Sequence, residues 1–273
     1  MALNAFAAEL THRAAITLAG PDWRGFLQGL ITQDVENLAP GEARFAALLT
    51  PQGRLLFDLF VIGRDEGCLI DCQADHRDAL IQRLTLYRLR AKVEIAASPA
   101  RIEALWGTHD TAGSGAGWIA DPRLPALGCR GYDAVAPDGA VRVHEAAYED
   151  HRLSLGVPGP DDWGSDKTYP IEANFDLLAG IDFKKGCFVG QETTSRMKRR
   201  GVIKSRMAPI LFDGAPPAPG AELLAGDLRA GEVRYGTQGL AMALLRLDRL
   251  EGSLTLEDGR AWRPALPEWM GTP

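Results

Sequence analysis

Lys184-Lys-Gly-Cys-Phe-Val-Gly-Gln-Glu192 is the densest stretch of chemistry in this chain of 273 residues. Two glycines, Gly186 and Gly190, bracket one thiol, Cys187, and two lysines precede it. The run Gln191-Glu-Thr-Thr-Ser-Arg-Met197 that follows has the composition to open a short helix. Cations and a helix N-terminus both stabilise an anionic sulfur, so Cys187 is the one cysteine with a physical case for reactivity or for soft-metal ligation. On spacing alone, the same stretch also reads as a half-buried cysteine in a tight turn.

Beyond it, Arg196 to Arg206 holds six basic residues and no acidic one. Such a run is a solvated face, or else a patch that attracts an anionic small molecule or an acidic protein. The chain as a whole is acidic, with 30 Lys+Arg against 36 Asp+Glu, which argues against direct nucleic-acid binding driven by phosphate neutralisation.

Asp58 is a second anomaly. In Leu55-Leu-Phe-Asp-Leu-Phe-Val-Ile62 both alternating faces are apolar except at this position, so the strand is buried on both sides and carries a carboxylate inward. A buried carboxylate must be paired, hydrogen-bonded or neutral. Arg54 or Arg90 would serve as a structural partner; a ligand-facing acid or base is the alternative. Glu172, between Ile171 and Ala173, poses the same question.

The remaining cysteines, Cys68, Cys72 and Cys129, are scattered. Cys68 and Cys72 share one face of a strand but would lie about 13 Å apart, too far for a disulfide or a shared metal, and read as core fillers. No C-x-x-C, H-E-x-x-H, P-loop or nucleophile-elbow motif is present. The N-terminus carries no secretory signal and no segment has the ~18 apolar residues of a membrane span, so the chain reads as cytoplasmic, with no membrane association.

The periodicity predicts a helix over Asp22–Asn37 and a hairpin of Ala43–Thr50 and Arg54–Ile62 about Thr50-Pro-Gln-Gly53. A strand Cys68–Gln73, a helix capped by Asp75 and running to Leu89, and a strand Ala91–Ala97 follow, as a β-α-β unit in a mixed sheet. Gly107 to Gly117 reads as a mobile loop. Asp213-Gly-Ala-Pro-Pro-Ala-Pro-Gly220 is a proline-rich connector, followed by short strand-like runs that suggest a small β-barrel. The expected domains are residues 1–205 and 206–273.

Five stretches together resemble one family. Lys185-Gly-Cys-Phe-Val-Gly-Gln-Glu192 is similar to the signature of the YgfZ-type folate-binding proteins, relatives of the glycine-cleavage aminomethyltransferase that assist iron–sulfur cluster assembly. Phe26-Leu-Gln-Gly-Leu-Ile-Thr-Gln-Asp-Val35, Leu49-Thr-Pro-Gln-Gly-Arg-Leu-Leu-Phe-Asp58, Tyr87-Arg-Leu-Arg-Ala-Lys-Val93 and Tyr169-Pro-Ile-Glu-Ala-Asn174 fit in the same order. The hairpin and Tyr87 stretches look closest to the mitochondrial branch.

The resemblance implies an α+β fold: an aminomethyltransferase-like body and a small C-terminal β-barrel, ring-like around a central channel for tetrahydrofolate or a derivative. It places Asp58 near the folate's reactive nitrogen and Glu172 on the pterin's N–H donors. Lys185, Gln191, Glu192 and Arg196 would line the folate site, the basic segment meeting the glutamate tail. Cys187 would be the functional thiol, a ligand to a transient iron–sulfur cluster shared with a carrier or target protein. The chain departs from the aminomethyltransferases in having Phe57-Asp58 for paired aspartates and the cysteine motif in place of their phenylalanine-isoleucine-glycine-arginine-glutamate run, which leaves transfer activity without motif support. Two rivals stay open: a folate-dependent one-carbon transferase or demethylase with Asp58 as acid/base, and a scaffold that uses Arg196 to Arg206 on an acidic partner.

Overall fold

The computed structural model describes residues 5–107, 115–201 and 203–271; most of the predicted loop at Gly107–Gly117 lies outside these residues. The chain opens with β1 (Phe6–Glu9), β2 (Arg13–Ala19), α1 (Trp23–Gln28), β3 (Ala43–Leu49), β4 (Leu55–Arg64) and β5 (Gly67–Gln73). Next come α2 (Arg77–Arg88), β6 (Glu94–Ser98), β7 (Ile102–Trp106), β8 (Trp118–Ala120), β9 (Cys129–Tyr132) and β10 (Val141–Arg142). The helices α3 (Glu145–Ser154), α4 (Pro160–Trp163) and α5 (Gln191–Arg200) precede β11 (Ser205–Phe212), β12 (Glu222–Ala225), β13 (Leu228–Thr237), β14 (Leu240–Arg246), β15 (Leu254–Leu256) and β16 (Trp262–Pro264).

Three sheets result. The first has the order β3-β4-β5-β2-β6, the second β10-β1-β7-β9-β8 and the third β15-β12-β13-β14-β11-β16. The first sheet is antiparallel at every pairing rather than mixed. The predicted β-α-β unit is there, but β2 lies between β5 and β6, so the two strands joined by α2 run parallel without touching. In the third sheet a bridge between Thr255 and Ala261 brings the two edges together, which nearly closes a barrel. The proline-rich connector joins β11 to β12 inside this barrel rather than preceding it.

The first sheet buries both faces, which is why β4 is apolar on both. Leu59 and Val61 pack with α1 and α2 residues such as Leu27, Leu80 and Leu84. Phe60 and Ile62 join a core that also takes Ala104 of the second sheet and Met242 of the third. The hairpin turns as predicted, with the Gly53 N–H donating to the Thr50 carbonyl at 2.8 Å and Gly53 at φ +83°.

The helix predicted over Asp22–Asn37 ends at Gln28. Gly29 weakens the helix there, and the chain then finds better partners in β3. Ile31 bridges to Leu48, and the Thr32 hydroxyl accepts from the Ala47 N–H at 2.8 Å while donating to the Gly180 carbonyl at 2.6 Å. Asp22 holds the N-cap position of α1 without a side-chain capping bond; its carboxylate accepts from the Lys92 N–H at 2.8 Å. Asp75 sits in a short 3-10 turn, and His76 holds the N-cap position of α2.

Candidate functional site

Residues 182–190 form an irregular loop leading into α5, and Cys187 stands exposed on it. Its two neighbours on either side hold the loop. On one side the Lys185 ammonium donates to the carbonyls of Ile31 at 2.7 Å and Gln33 at 2.8 Å, and lies 5.5 Å from the Phe188 ring centre. Burial pushes the Lys185 pKa down to about 8. On the other side Phe188 is buried, and its N–H donates to the Gln191 side-chain oxygen at 3.2 Å. Between these fixed points Gly186 has open space around it. Lys185 and Gln191, both candidate folate contacts, are thus engaged in shaping the loop that presents the thiol.

Gly190 turns the chain into α5 at φ +79°, a conformation that favours glycine. It packs on the hairpin turn, where a Cβ would fall 2.4 Å from the Thr50 carbonyl oxygen. The Thr32 carbonyl accepts from the Asp182 N–H at 3.0 Å, and the Gln33 amide donates to the Ala179 carbonyl at 2.6 Å. The stretches Phe26–Val35 and Leu49–Asp58 therefore meet the cysteine loop in space.

α5 carries Arg196, Lys198, Arg199 and Arg200 exposed, three of them in its last turn, where they complement the negative end of the helix dipole. None is ion-paired among the described residues, and Lys198 reaches over the partly exposed Phe183 ring at 5.2 Å. Phe183, which no motif or periodicity marks, thus shares this surface with α5.

Glu172 lines a cleft of about 310 Å³ with Met197, Arg200, Ile203, Lys204 and Ser205. One of its carboxylate oxygens accepts from the Tyr169 N–H at 3.0 Å, and burial pushes its pKa up. Its carbonyl accepts from the Met207 N–H at 2.7 Å, which ties the segment to β11. Of the basic run, Arg200 and Lys204 line this cleft; Arg196 and Glu192 are exposed elsewhere on α5. The cleft offers a carboxylate to N–H donors and two cations to anionic groups.

Asp58 is placed otherwise. It is 4 % exposed, and its carboxylate accepts from Arg13 at 2.7 Å. The partner is neither Arg54, which stacks on Tyr169 with 4.9 Å to the ring centre, nor Arg90, which is exposed. Arg13 also binds Asp71 at 2.7 Å, and Asp71 accepts from Arg130 at 2.6 Å and from the Tyr132 hydroxyl at 3.1 Å. Arg123 pairs with Asp121 at 2.8 Å. Three guanidinium groups, those of Arg13, Arg123 and Arg130, crowd the Phe60 ring at 5.4, 4.8 and 3.9 Å. Asp58 is thus a structural partner of Arg13 within the first sheet, and Asp71 carries the network across to Arg130 and Tyr132 of the second, so the expected acid/base role of Asp58 finds no support in its surroundings. Asp71, charged within the otherwise uncharged Gly67–Gln73, carries the same sequence signal for this network as Asp58.

Cys68, Cys72 and Cys129 are buried. Burial pushes the thiols of Cys68 and Cys72 up to about 12, which leaves them inert. Among the described residues no group of three or more His, Cys, Asp or Glu is arranged to hold a metal. Cys187 can offer one ligand, with the others coming from elsewhere.

A family profile described as the CAF17 C-terminal beta-barrel domain matches residues 204–272. The fold is shared with the glycine cleavage system aminomethyltransferase T from Bartonella henselae, at a TM-score of 0.80 and 17% identity over 99% of this chain and 88% of that one. The mitochondrial iron–sulfur cluster assembly factor IBA57 of Homo sapiens is 32% identical over 97% of this chain and 85% of its own length. The IBA57 homolog of Neurospora crassa is 33% identical over 79% of this chain, which spans 56% of that protein. Both of these relatives and the Mus musculus protein are named mitochondrial, which overturns the cytoplasmic reading. The secretory-signal argument separates export from retention and does not tell one thiol-reducing compartment from another. With one third of its residues shared with the human protein along nearly its whole length, the chain belongs to the IBA57 family of iron–sulfur cluster assembly factors.

Proposed function

We propose that this chain is a folate-binding accessory factor of iron–sulfur cluster assembly, in which Cys187 supplies one thiolate to a cluster shared with a carrier or target protein. The observation that carries the reading is the presentation of Cys187: it is the exposed thiol among four, on a loop locked by Lys185 and Phe188. A thiol exposed between two fixed points can be reached by a bulky cluster bound to another protein. On giving up its proton it becomes a soft ligand.

The α5 cations and Phe183 would receive an acidic partner beside the thiol, and long-range attraction would speed the encounter. Glu172, which lines the cleft with one oxygen engaged by the Tyr169 N–H, would accept the pterin N–H donors, and Arg200 and Lys204 would face the glutamate carboxylates. The YgfZ-type likeness of the cysteine motif belongs to this same reading. Folate bound there would pack against α5 and so stiffen the helix that follows the cysteine loop.

The test has two arms. Anaerobic calorimetry of tetrahydrofolate with the wild-type chain and Glu172→Gln is expected to show saturable binding weakened by the substitution. Reactivation of a cluster enzyme in cells lacking the protein is expected to fail with Cys187→Ser. Full rescue by that variant would remove the thiol from the mechanism, and no folate binding would remove the cofactor.

A further inference from the structure

The stretch Tyr87-Arg-Leu-Arg-Ala-Lys-Val93 takes no part in the cysteine site, yet it builds an unusual surface at the end of α2. The helix buries Leu80 and Leu84 against the first sheet. Leu86 lies on the opposite face and is 72% exposed; Leu89, just past the last turn, is 88% exposed. Leu89 sits at φ 44°, ψ −104°, a backbone conformation a leucine adopts only under constraint. The constraint is visible on either side: the Ala91 N–H donates to the Arg88 carbonyl at 2.8 Å, and the Lys92 N–H is held by Asp22 at 2.8 Å. Two leucines are thus pushed into solvent on a strained, anchored tip.

Cations flank them along the chain. Arg83, Arg88, Arg90 and Lys92 fall in a run with no acidic residue between Asp78 and Glu94, in a chain of net charge −6. None of the four forms an ion pair among the described residues, and Arg88 reaches the Val93 carbonyl only at 3.5 Å. A flat apolar patch ringed by charge would fit a protein surface. A projecting pair of leucines matches a soft surface that opens around them, with the cations left at its charged boundary.

We propose that the α2 tip is a peripheral membrane contact, in which Leu86 and Leu89 enter the headgroup–acyl boundary of an anionic lipid surface and Arg83, Arg88, Arg90 and Lys92 meet the lipid phosphates. Among the described residues no helix is long and apolar enough to cross a membrane, and the contact proposed is with the lipid surface. The contact is independent of the cysteine loop, and it stands or falls separately from the folate and cluster reading.

The experiment is sedimentation of the full chain with phosphatidylcholine vesicles, with and without phosphatidylglycerol, at low and high ionic strength. Binding is expected only with the anionic lipid and is expected to weaken with salt. Leu86→Ser with Leu89→Ser is expected to reduce binding roughly tenfold. Arg88→Gln with Arg90→Gln is expected to reduce both binding and its salt dependence, and Lys198→Glu with Arg199→Glu on α5 to bind as wild type. Leu89→Gly guards against misfolding, since glycine suits the positive φ: it should weaken binding while the thermal midpoint holds or rises. The proposal is overturned if the wild-type chain stays in the supernatant, if the leucine variants bind undiminished, if the α5 variant is the one that loses binding, or if the tip variants lose an acidic protein partner and keep the vesicles.

Discussion

Gly190 and Gly53 meet backbone to backbone: a Cβ on Gly190 would lie 3.0 Å from the Gly53 Cα and 2.4 Å from the Thr50 carbonyl oxygen, and one on Gly53 would lie 2.9 Å from the Gly190 carbonyl oxygen. Two motifs far apart in sequence are thereby locked at one point, and the loop bearing Cys187 takes its position from the hairpin turn. Gly190→Ala meets both a clash with main chain and a positive φ, and is expected to cost about 2–4 kcal/mol and to shift the loop. Gly186→Ala, with nothing within 4 Å, is expected to stay within about 0.5 kcal/mol of wild type. Urea titration of the two variants checks the contrast.

The four cysteines divide by burial, with Cys187 exposed and Cys68, Cys72 and Cys129 buried. A thiol reagent at neutral pH is expected to label the native chain once and the urea-unfolded chain four times, in keeping with its four cysteines. Cys187→Ser should abolish native labelling and leave the unfolding midpoint unchanged, since the side chain supports no packing. Labelling of a second site in the native state would show that the sheet cores open more readily than their burial implies.

What the sequence made legible were the features that report on one strand or one turn. The hairpin at Thr50–Gly53, the two-sided burial of Leu55–Ile62 and the core placement of Cys68 and Cys72 all follow from local pattern and proved right. What it hid were pairings between distant segments. Gly29 and Thr32 look compatible with a continuing helix until Ala47 and Gly180 are known to be alongside. The partner of Asp58 could be guessed only among nearby arginines, whereas Arg13 comes from a strand two positions away in the sheet. The candidate site divides the same way: the motif picked out Cys187, but the anchoring roles of Lys185 and Gln191 depend on carbonyls and turns the motif does not contain.

Glu172 is a charge that the Tyr169 N–H and the more distant Arg54 and Arg234 compensate only in part. Burial raises its pKa, so the folded chain binds a proton more tightly than the unfolded chain between the ordinary carboxylate pKa and the raised one, and stability falls as pH rises through that window. Glu172→Gln removes this penalty and is expected to raise the thermal midpoint at pH 7 by about 1–3 °C while weakening folate binding. The opposite pattern, lower stability with folate binding intact, would recast Glu172 as a structural residue that supports β11.

The Arg13, Arg123 and Arg130 network works in the other direction. The guanidinium groups overcome burial and hold the Asp71 and Asp121 pKa values below the ordinary carboxylate range, so their stabilisation is complete above the unfolded-state value of about 3.9 and is lost as pH falls through the folded-state values. Acid unfolding is therefore expected below about pH 4. Asp71→Asn leaves Arg13 and Arg130 buried without their shared anion and is expected to cost about 3–5 kcal/mol at neutral pH. The variant should also flatten the acid limb of the stability profile, because Asp71 no longer contributes a proton-linked transition there. Urea midpoints of both proteins between pH 3 and 7 test this, and an unchanged acid limb in Asp71→Asn would assign the acid sensitivity to other carboxylates.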